Sequence, residues 1–483
     1  MSRASYSVAM TEGVAAAART HLLRADGQED ICFALWRPSQ GRSRMTALVH
    51  RLVIPKDGER RVHGNASFEP AFFERALTEA AAEGAGLALM HSHPLGTGWQ
   101  GMSLDDVRAE QGNAGAVLGA TKRPLVGLTL ASDGAWSARF WKRTAPRTYA
   151  RHNCATVRVV GDRLAVTYMD ELAPPPLANA EQIRTVSAWG EEAQRDLTRL
   201  RIGQIGAGSV GGLIGDSLAR TGFEDVMLMD FDFIESHNLD RLSYATRRDV
   251  GHLKIDVQAT HLEQRATAEP FRVEKVLAAV YEDEGFRAAL DCDVLFACVD
   301  RPWGRYILNL IAYAHLIPVI DGGIAVRCNR HGRLAAADWK AHTASIGRPC
   351  LQCLGQYDPG LVQTEREGRL DDPTYIAGLP KDHPLKTREN VFAFSMSCAS
   401  MQMLQVLALA LAPLGQPNPG AQSYHFVGNI TEDPHYGTCD PECQFPAIVA
   451  LGDDCGIEAT GVRRTAIGAA TENGIDTKSK KKV

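Results

Sequence analysis

Short apolar runs closed by glycine or by polar clusters recur along this chain, and each predicts a strand. Residues 87–90, 202–205 and 226–229 are such runs, and DVLFACVD, ending at Asp300, is another. After the second run, Gly206, Gly208 and Gly211 make a tight turn, and residues 213–219 have the apolar character of a helix. Strand, glycine turn, helix and strand in that order predict a phosphate-cradling βα unit. RHNCATVRVVGDRLAVTYM alternates like two strands joined at Gly161-Asp162, compatible with either half of the chain. Pro174, Pro175 and Pro176 then form a stiff link. FAFSMSCASMQMLQVLALAL reads as an apolar helix. The whole predicts an α/β chain: a first domain over residues 1–150, strands and a proline-rich linker over 151–180, a second domain over 181–460, and a flexible basic tail over 461–483.

Composition narrows the class. The chain has 483 residues, enough for two enzyme domains, with apolar residues at 45% and charged ones at 23%, both ordinary for a globular chain. A net charge of −5 gives no reason to expect a nucleic-acid partner. Eleven cysteines, a CxxC and no signal-peptide pattern point to a reducing cytoplasm. Apolar stretches such as 401–411 are too short to span a bilayer, so no membrane is expected.

Glycine turns of this kind occur in many unrelated nucleotide enzymes. Asp230 follows the second strand where a carboxylate grips ribose hydroxyls, and to this point an NAD dehydrogenase fits. Three further features change the picture: DFDFIESHNLDR, which holds Asp230, Asp232, Asn238 and Arg241; Lys254 in VGHLKID; and Asp300. In this order, over roughly residues 181–455, they resemble the Rossmann-like adenylation domain of the ubiquitin-activating superfamily, which includes the ThiF- and MoeB-type adenylyltransferases. The resemblance implies an ATP and Mg2+ site. Gly206, Gly208, Gly211, Asp230 and Asp232 would hold the nucleotide, with Asp230 on the ribose, and Asn238, Arg241 and Lys254 would contact the phosphates. Asp300 would help hold magnesium.

The implied reaction is attack of a carboxylate on the α-phosphorus of ATP, giving an acyl-adenylate and pyrophosphate. Such a step needs little covalent help but much positive charge around the phosphates. Arg241, Lys254 and the helix N-terminus after Gly211 supply it, although each cation taken singly reads as a surface charge. Arg184 resembles the arginine that family members insert into the partner subunit's ATP site, implying a homodimer. A solvated helix arginine reads equally well there.

Cys350-Leu-Gln-Cys353 and Cys439-Asp-Pro-Glu-Cys443 form two close pairs, the pattern of a closed, structural tetrathiolate Zn2+ site, with a redox CxxC as the alternative. The same family carries a structural zinc here. Between the pairs, LGQYDPGLVQTEREGRLDDPTYIAGLPKDHPLKTREN matches the family's crossover loop over the adenylate, where many relatives place a nucleophilic cysteine and this chain has none. Cys398 is the nearest catalytic candidate, although a small buried core residue is its first reading. Cys455 is no better placed.

In the amino-terminal third, residues 87–90 lead into His91-Ser92-His93-Pro94, and Ser103-Leu104-Asp105-Asp106 follows a glycine-rich loop. Histidines at i and i+2 of a strand point to one side and can share a metal, and a carboxylate would complete three ligands, leaving a fourth position for water. The same residues read blandly as a turn with buried histidines and a capped helix. The set resembles the JAMM (JAB/MPN-type) zinc metalloproteases. That implies His91, His93 and Asp106 as ligands of a catalytic zinc, Ser103 as donor to the oxyanion, and an upstream glutamate as general base. Glu29 is the first candidate for the base and Glu59 the alternative; a loop about two residues longer than usual leaves Asp105 as a substitute for Asp106. This fold is also retained as an inactive scaffold.

Joined in one chain, the two resemblances imply an enzyme that adenylates the C-terminal carboxylate of a ubiquitin-like protein ending in glycine and also processes or deconjugates that terminus, as in bacterial ubiquitin-like conjugation. A conjugating enzyme would be a further partner if a thiol takes the acyl group. The alternatives are sulfur-carrier adenylation for thiocarboxylate chemistry and a scaffold with a dead protease domain.

Overall fold

Two sheets organise the protein in a computed structural model that describes residues 5–63, 65–177, 179–378, 390–416, 420–435 and 437–462. Of the tail expected over 461–483, residues 463–483 lie outside the described residues, as do positions 379–389 of the crossover segment.

The first half comprises β1 (Ser5–Thr11), α1 (Glu12–Leu22), β2 (Ile31–Gln40), β3 (Arg44–Val53), β4 (Arg60–His63), β5 (Asn65–Phe68), α2 (Pro70–Ala82), β6 (Gly86–His93), α3 (Leu104–Thr121), β7 (Leu125–Ala131), β8 (Trp136–Ala145), β9 (Thr148–Asn153), β10 (Thr156–Val160) and β11 (Leu164–Tyr168). Nine of these strands form one sheet in the order β11-β10-β1-β3-β2-β6-β7-β8-β9, while β4 and β5 pair separately. Period-two alternation explains how the sheet is covered on both faces. Strand β2 carries two interleaved sets: Ile31, Phe33 and Leu35 pack with Phe72 of α2 and Val117 of α3, whereas Cys32, Ala34 and Trp36 pack with Ala15 and Ala18 of α1. The two strands around Gly161 are β10 and β11, and they join this first sheet through the parallel pairing of β10 with β1.

The second half comprises α4 (Ile183–Trp189), α5 (Glu191–Thr198), β12 (Arg201–Ile205), α6 (Ser209–Thr221), β13 (Asp225–Met229), α7 (Lys254–Glu263), β14 (Arg272–Val276), α8 (Asp283–Ala289), β15 (Val294–Ala297), α9 (Pro302–Ala314), β16 (Val319–Cys328), β17 (Leu334–Ala344), α10 (Pro359–Arg366), α11 (Pro373–Gly378), α12 (Phe392–Leu411), β18 (Ala421–His425) and β19 (Ile430–His435). Its sheet runs β14-β13-β12-β15-β16-β17-β18-β19. The first five strands are parallel and the rest antiparallel. Strand order reverses beside β12, between β13 and β15, and in such sheets ligands bind where that reversal opens a crevice.

Helix α6 starts at Ser209, so Gly211 lies inside its first turn and not ahead of the helix as expected. Helix α12 covers the 20 residues of the apolar helix expected from sequence, and over that full length it is long and apolar enough to cross a membrane by length and composition. The expectation that no stretch is long enough to span a bilayer weighed only residues 401–411 of it. In the fold, α12 buries Phe394, Cys398, Val406 and Leu409, and its Gln402 and Gln405 amides donate to the carbonyls of Ile320 and Gly420 at 3.1 and 2.7 Å. Those bonds are the ones expected of a core helix that satisfies its polar groups within the protein.

The halves meet through apolar and ionic contacts. Ala9, Leu48, Val160 and Leu164 of the first sheet share a buried cluster with Leu200, Val226, Val294 and Phe296 of the second half. Beside it Asp293 lies 2.6 Å from the Arg44 guanidinium and 3.6 Å from that of Arg158, all three buried. Asp291 accepts from the backbone N–H groups of Ser43 and Arg44 at 2.9 Å each. Burial works to raise the Asp293 carboxyl, but Arg44 and Arg158 outweigh it and hold the group below the usual carboxylate value. A depressed folded value means that the folded state binds fewer protons than the unfolded one. This contribution to stability is therefore full above the ordinary carboxylate range and is lost as pH falls through the folded value. Asp293→Ala leaves two buried guanidiniums uncompensated and is expected to cost about 3–5 kcal/mol in denaturant unfolding at neutral pH. An unchanged midpoint would show that the joint contributes nothing.

Candidate functional site

The glycine turn between β12 and α6 is shaped by close approaches. Gly206 has a φ of +104°, and a Cβ there would stand 2.4 Å from the carbonyl of Cys298; a Cβ on Gly211 would stand 2.1 Å from the carbonyl of Gly206. Around Gly208, at the N-cap of α6, the space is open, which leaves the backbone accessible to an anion. The turn's carbonyls are held from below by two buried amides, Gln204 donating to Gly206 at 3.0 Å and Gln258 to Gly211 at 3.2 Å.

Around this turn the structure collects most of the expected nucleotide residues. Asp230, at the end of β13, accepts from the N–H groups of Ala207 at 2.6 Å and Asp232 at 2.8 Å. Burial pushes its carboxyl above the usual value. Lys254, the first residue of α7, reaches Asp232 at 2.7 Å. Burial alone would lower this ammonium, but the charges of Asp230, Asp232 and Asp300 reverse that and raise it. One cation thus feels three carboxylates, two from the loop after β13 and one from the loop after β15, the strands that flank β12. Asn238 is buried and accepts from the N–H of Glu235 at 3.0 Å, while half-buried Arg241 donates to the carbonyl of His237 at 2.7 Å. Asp300 is exposed beyond β15. Arg184 is exposed on α4.

Cys398 does not join this group in a reactive form. It is wholly buried, its sulfur lies 3.6 Å from the carbonyl of Lys340, and burial pushes its thiol up to about 12. A thiol that is neither ionised nor exposed is a poor nucleophile, so the structure places this catalytic candidate in the core.

Cys350, Cys353, Cys439 and Cys443 converge, their sulfurs all within 4.8 Å of one another. Cys350 and Cys443 stand 3.7 Å apart. Thiolates about 2.3 Å from one tetrahedral zinc lie about 3.8 Å apart, so the donor set fits that ion. Backbone N–H groups already point at sulfur: Cys350 to Cys439 at 3.2 Å, and Asp440 to Cys353 at 3.4 Å. With four sulfurs engaged no position is left for a substrate.

In the first half, β6 carries His91 and His93 to one side, and their Nε2 atoms stand 3.2 Å apart. Asp106 lies 3.6 Å from His91 Nε2 and 3.5 Å from His93 Nε2. Ligand atoms about 2.1 Å from one tetrahedral zinc lie about 3.4 Å apart, so these three side chains also match a common ion. Asp106 is held by a reciprocal cap at the start of α3: Ser103 Oγ accepts from the N–H of Asp106 at 3.1 Å, and Asp106 Oδ2 accepts from the N–H of Ser103 at 2.8 Å. The capping and ligand readings of this segment are therefore both met by one geometry. Burial, helped by the charge of Arg139, pushes His91 down to about 3, leaving a neutral imidazole at physiological pH. Glu29 faces the cluster closely enough to feel His93 and Asp106, and burial raises its carboxyl. Asp105 instead turns outward to Arg108 at 3.3 Å. Glu59 is bound to Arg75 at 2.9 Å and to the N–H of Lys56 at 2.7 Å, and so is engaged in its own loop.

Sequence reading missed the residues behind these clusters. Glu110, fully buried, accepts from Trp141 Nε1 at 2.6 Å and pairs with Arg139, which donates to Thr129 at 2.6 Å. Thr129 Oγ1 is 3.4 Å from His91 Nε2. In the second half Glu365 is buried with its carboxyl pushed up to about 7 by that burial. Neither glutamate carries a signal in sequence: Glu110 belongs to no motif, and Glu365 lies in the long polar segment between the cysteine pairs.

Residues 180–444 match the ThiF family. The chain belongs to the ThiF family. It is 26% identical over 191 residues to the adenylyltransferase and sulfurtransferase UBA4 of Yarrowia lipolytica, covering 39% of this chain and 45% of that one. It is 28% identical over 165 residues to the SAMP-activating enzyme E1 of Haloferax volcanii, covering 34% of this chain and 57% of that one. The chain thus spans about half the length of these curated relatives. A crystal structure of E. coli MccB with MccA-N7isoASN is 17% identical over 56% of this chain and 75% of that one, with a TM-score of 0.43. The family match begins at residue 180, so the histidine cluster of the first half stands on its own geometry.

Elemental analysis of the purified protein is expected to find about two zinc ions per chain, with Cys439→Ser and His93→Ala each losing about one, and not the same one. Loss of both ions in either variant would mean that the sites are not independent.

Proposed function

We propose that this ThiF-family protein uses ATP to adenylate the C-terminal carboxylate of a ubiquitin-like or sulfur-carrier protein, and that its first half hydrolyses a peptide or isopeptide bond at the same terminus. The observation that carries the first part is the convergence of Asp230, Asp232, Lys254 and Asp300 on an open glycine turn at the strand-order reversal. In the reaction a carboxylate oxygen of the partner forms a bond to the α-phosphorus, and the bond from that phosphorus to the bridging oxygen breaks as pyrophosphate leaves. Asp230 would take the ribose hydroxyls, and the N–H groups at the start of α6, with Lys254 and Arg241, would meet the charge that builds on the phosphates. Asp300 and the neighbouring Asp232 would hold magnesium, which when bound neutralises phosphate charge. The names of the relatives, an adenylyltransferase and an activating enzyme, agree with this reading.

For the first half, His91, His93 and Asp106 would hold a zinc ion, which when bound supplies a Lewis acid and a more acidic water. Glu29 would receive the water proton and return it to the leaving amine, and Ser103 would donate to the oxyanion. Exposed Arg184 would serve the neighbouring subunit's nucleotide in a homodimer. The burial of Cys398 favours a second reading, in which the adenylate passes directly to a sulfur donor or an external thiol and no thioester forms on that residue. A conjugating enzyme is the further partner if the thiol is external.

ATP–pyrophosphate exchange tests the proposal. Exchange should depend on a ubiquitin-like protein with a free C-terminal glycine and fall about 100-fold or more in Asp300→Ala. No exchange with any such partner would overturn the reading. In a separate assay, His93→Ala should keep exchange and lose cleavage of a partner extended beyond its glycine; cleavage that persists in that variant and in chelator would remove the first half from the reaction.

A further inference from the structure

Asp300 stands in an exposed position after β15, yet a carboxylate that holds a cation against phosphate must be fixed closely. The next residues explain how it could be fixed. Arg301 is the N-cap of α9, and Trp303 lies in that helix's first turn, where N–H groups have no partner within the helix. The N–H of Trp303 donates to Glu365 Oε2 at 2.9 Å, and Arg301 reaches Asp371 at 2.8 Å and Glu365 Oε1 at 3.9 Å. Glu365 comes from α10, in the segment that follows Cys350 and Cys353, and its side chain is 3% exposed. A second grip acts on the same turn. The Trp303 ring stacks on Tyr281 at 3.8 Å with an interplanar angle of 5°, and the Arg366 guanidinium lies 5.8 Å from the ring. The N–H of Gly461 in turn donates to the carbonyl of Tyr281 at 2.6 Å.

We propose that Glu365 is a positioning residue for adenylation: by capping the start of α9 from α10 it sets the place of the Asp300 turn, and with it the grip on magnesium. The inference rests on the ATP-dependent reading above. Glu365 touches neither substrate nor metal in this account; it acts through the N–H of Trp303 and the guanidinium of Arg301. The first N–H groups of a helix need an acceptor from outside it, which a carboxyl oxygen supplies in either protonation state, and burial of this one leaves it little freedom to move.

The test uses the full chain, wild type and the variants E365A, E365Q and D371N, and reads the magnesium dependence of ATP binding by calorimetry beside that of pyrophosphate exchange. E365A is expected to raise the magnesium concentration at half-saturation about tenfold, the size usual when a residue supporting a metal ligand is removed. E365Q keeps an acceptor for the Trp303 N–H and should stay within about threefold of wild type, and D371N, which loosens Arg301 from an exposed site, should shift in the same direction by less. An unchanged midpoint in both E365A and D371N overturns the proposal, as does an equal fall in maximal exchange in E365A and E365Q with no shift in midpoint. Wild-type protein that binds magnesium and ATP without exchanging pyrophosphate for any partner overturns the adenylation reading, and the midpoints from calorimetry then still decide whether Glu365 supports the cation. Wild-type protein that binds no ATP overturns both.

Discussion

A carboxylate buried between two guanidiniums joins the halves of this protein. Asp293 takes Arg44 and Arg158 from the first sheet just where β15, a central strand of the second sheet, begins. Three charges removed from water cost a great deal unless each finds its partner, so the joint admits one arrangement of the two sheets and penalises others. The same strand runs on from this joint to the loop that carries Asp300. The attachment of the first half and the placing of Asp300 are thus set at opposite ends of one short, fully buried segment.

Much of the candidate nucleotide site's geometry was legible because its parts are local. The glycine turn, the acidic residue after the next strand and the cation that opens α7 lie within 50 or so residues, and their geometry follows from one βα unit repeated beside another. The histidine pair was legible for the same reason, since i and i+2 on a strand share a face wherever the strand lies. What was not legible depends on contacts between distant segments. The Gln204–Gln258 pair under the turn joins residues 54 apart, and the carboxylate of Glu365 meets a backbone N–H 62 residues earlier. No spacing rule marks such partners, and polar residues on helices read as solvated by default. The extent of α12 was legible, but the membrane-spanning length of its apolar run was not. Serines and glutamines break its apolar run, and only the fold shows that two of those glutamines spend their amides on buried carbonyls.

The two cysteine and histidine clusters differ in what they leave over. Four sulfurs would enclose an ion completely, and the N–H groups aimed at them belong to the knuckles themselves. The histidine cluster offers three donors, with Glu29 within reach of their charge and a buried Glu110–Arg139–Thr129 chain behind. The positive charge in that chain helps to keep His91 uncharged, so the polarity of the interior behind the cluster suits a neutral ligand in front of it.

The apolar seam formed by Ala9, Leu48, Val160 and Leu164 has a bearing on how this chain can be inherited. Tandem enzymes joined by a flexible tether can be separated by a break in the gene, because each part keeps its own finished surface. Here a break at the three prolines would give two products, one displaying a greasy sheet face with stranded arginines and the other its unpaired aspartate. Neither product would be a free-standing version of its half, so the two halves are bound to travel, be expressed and be lost together.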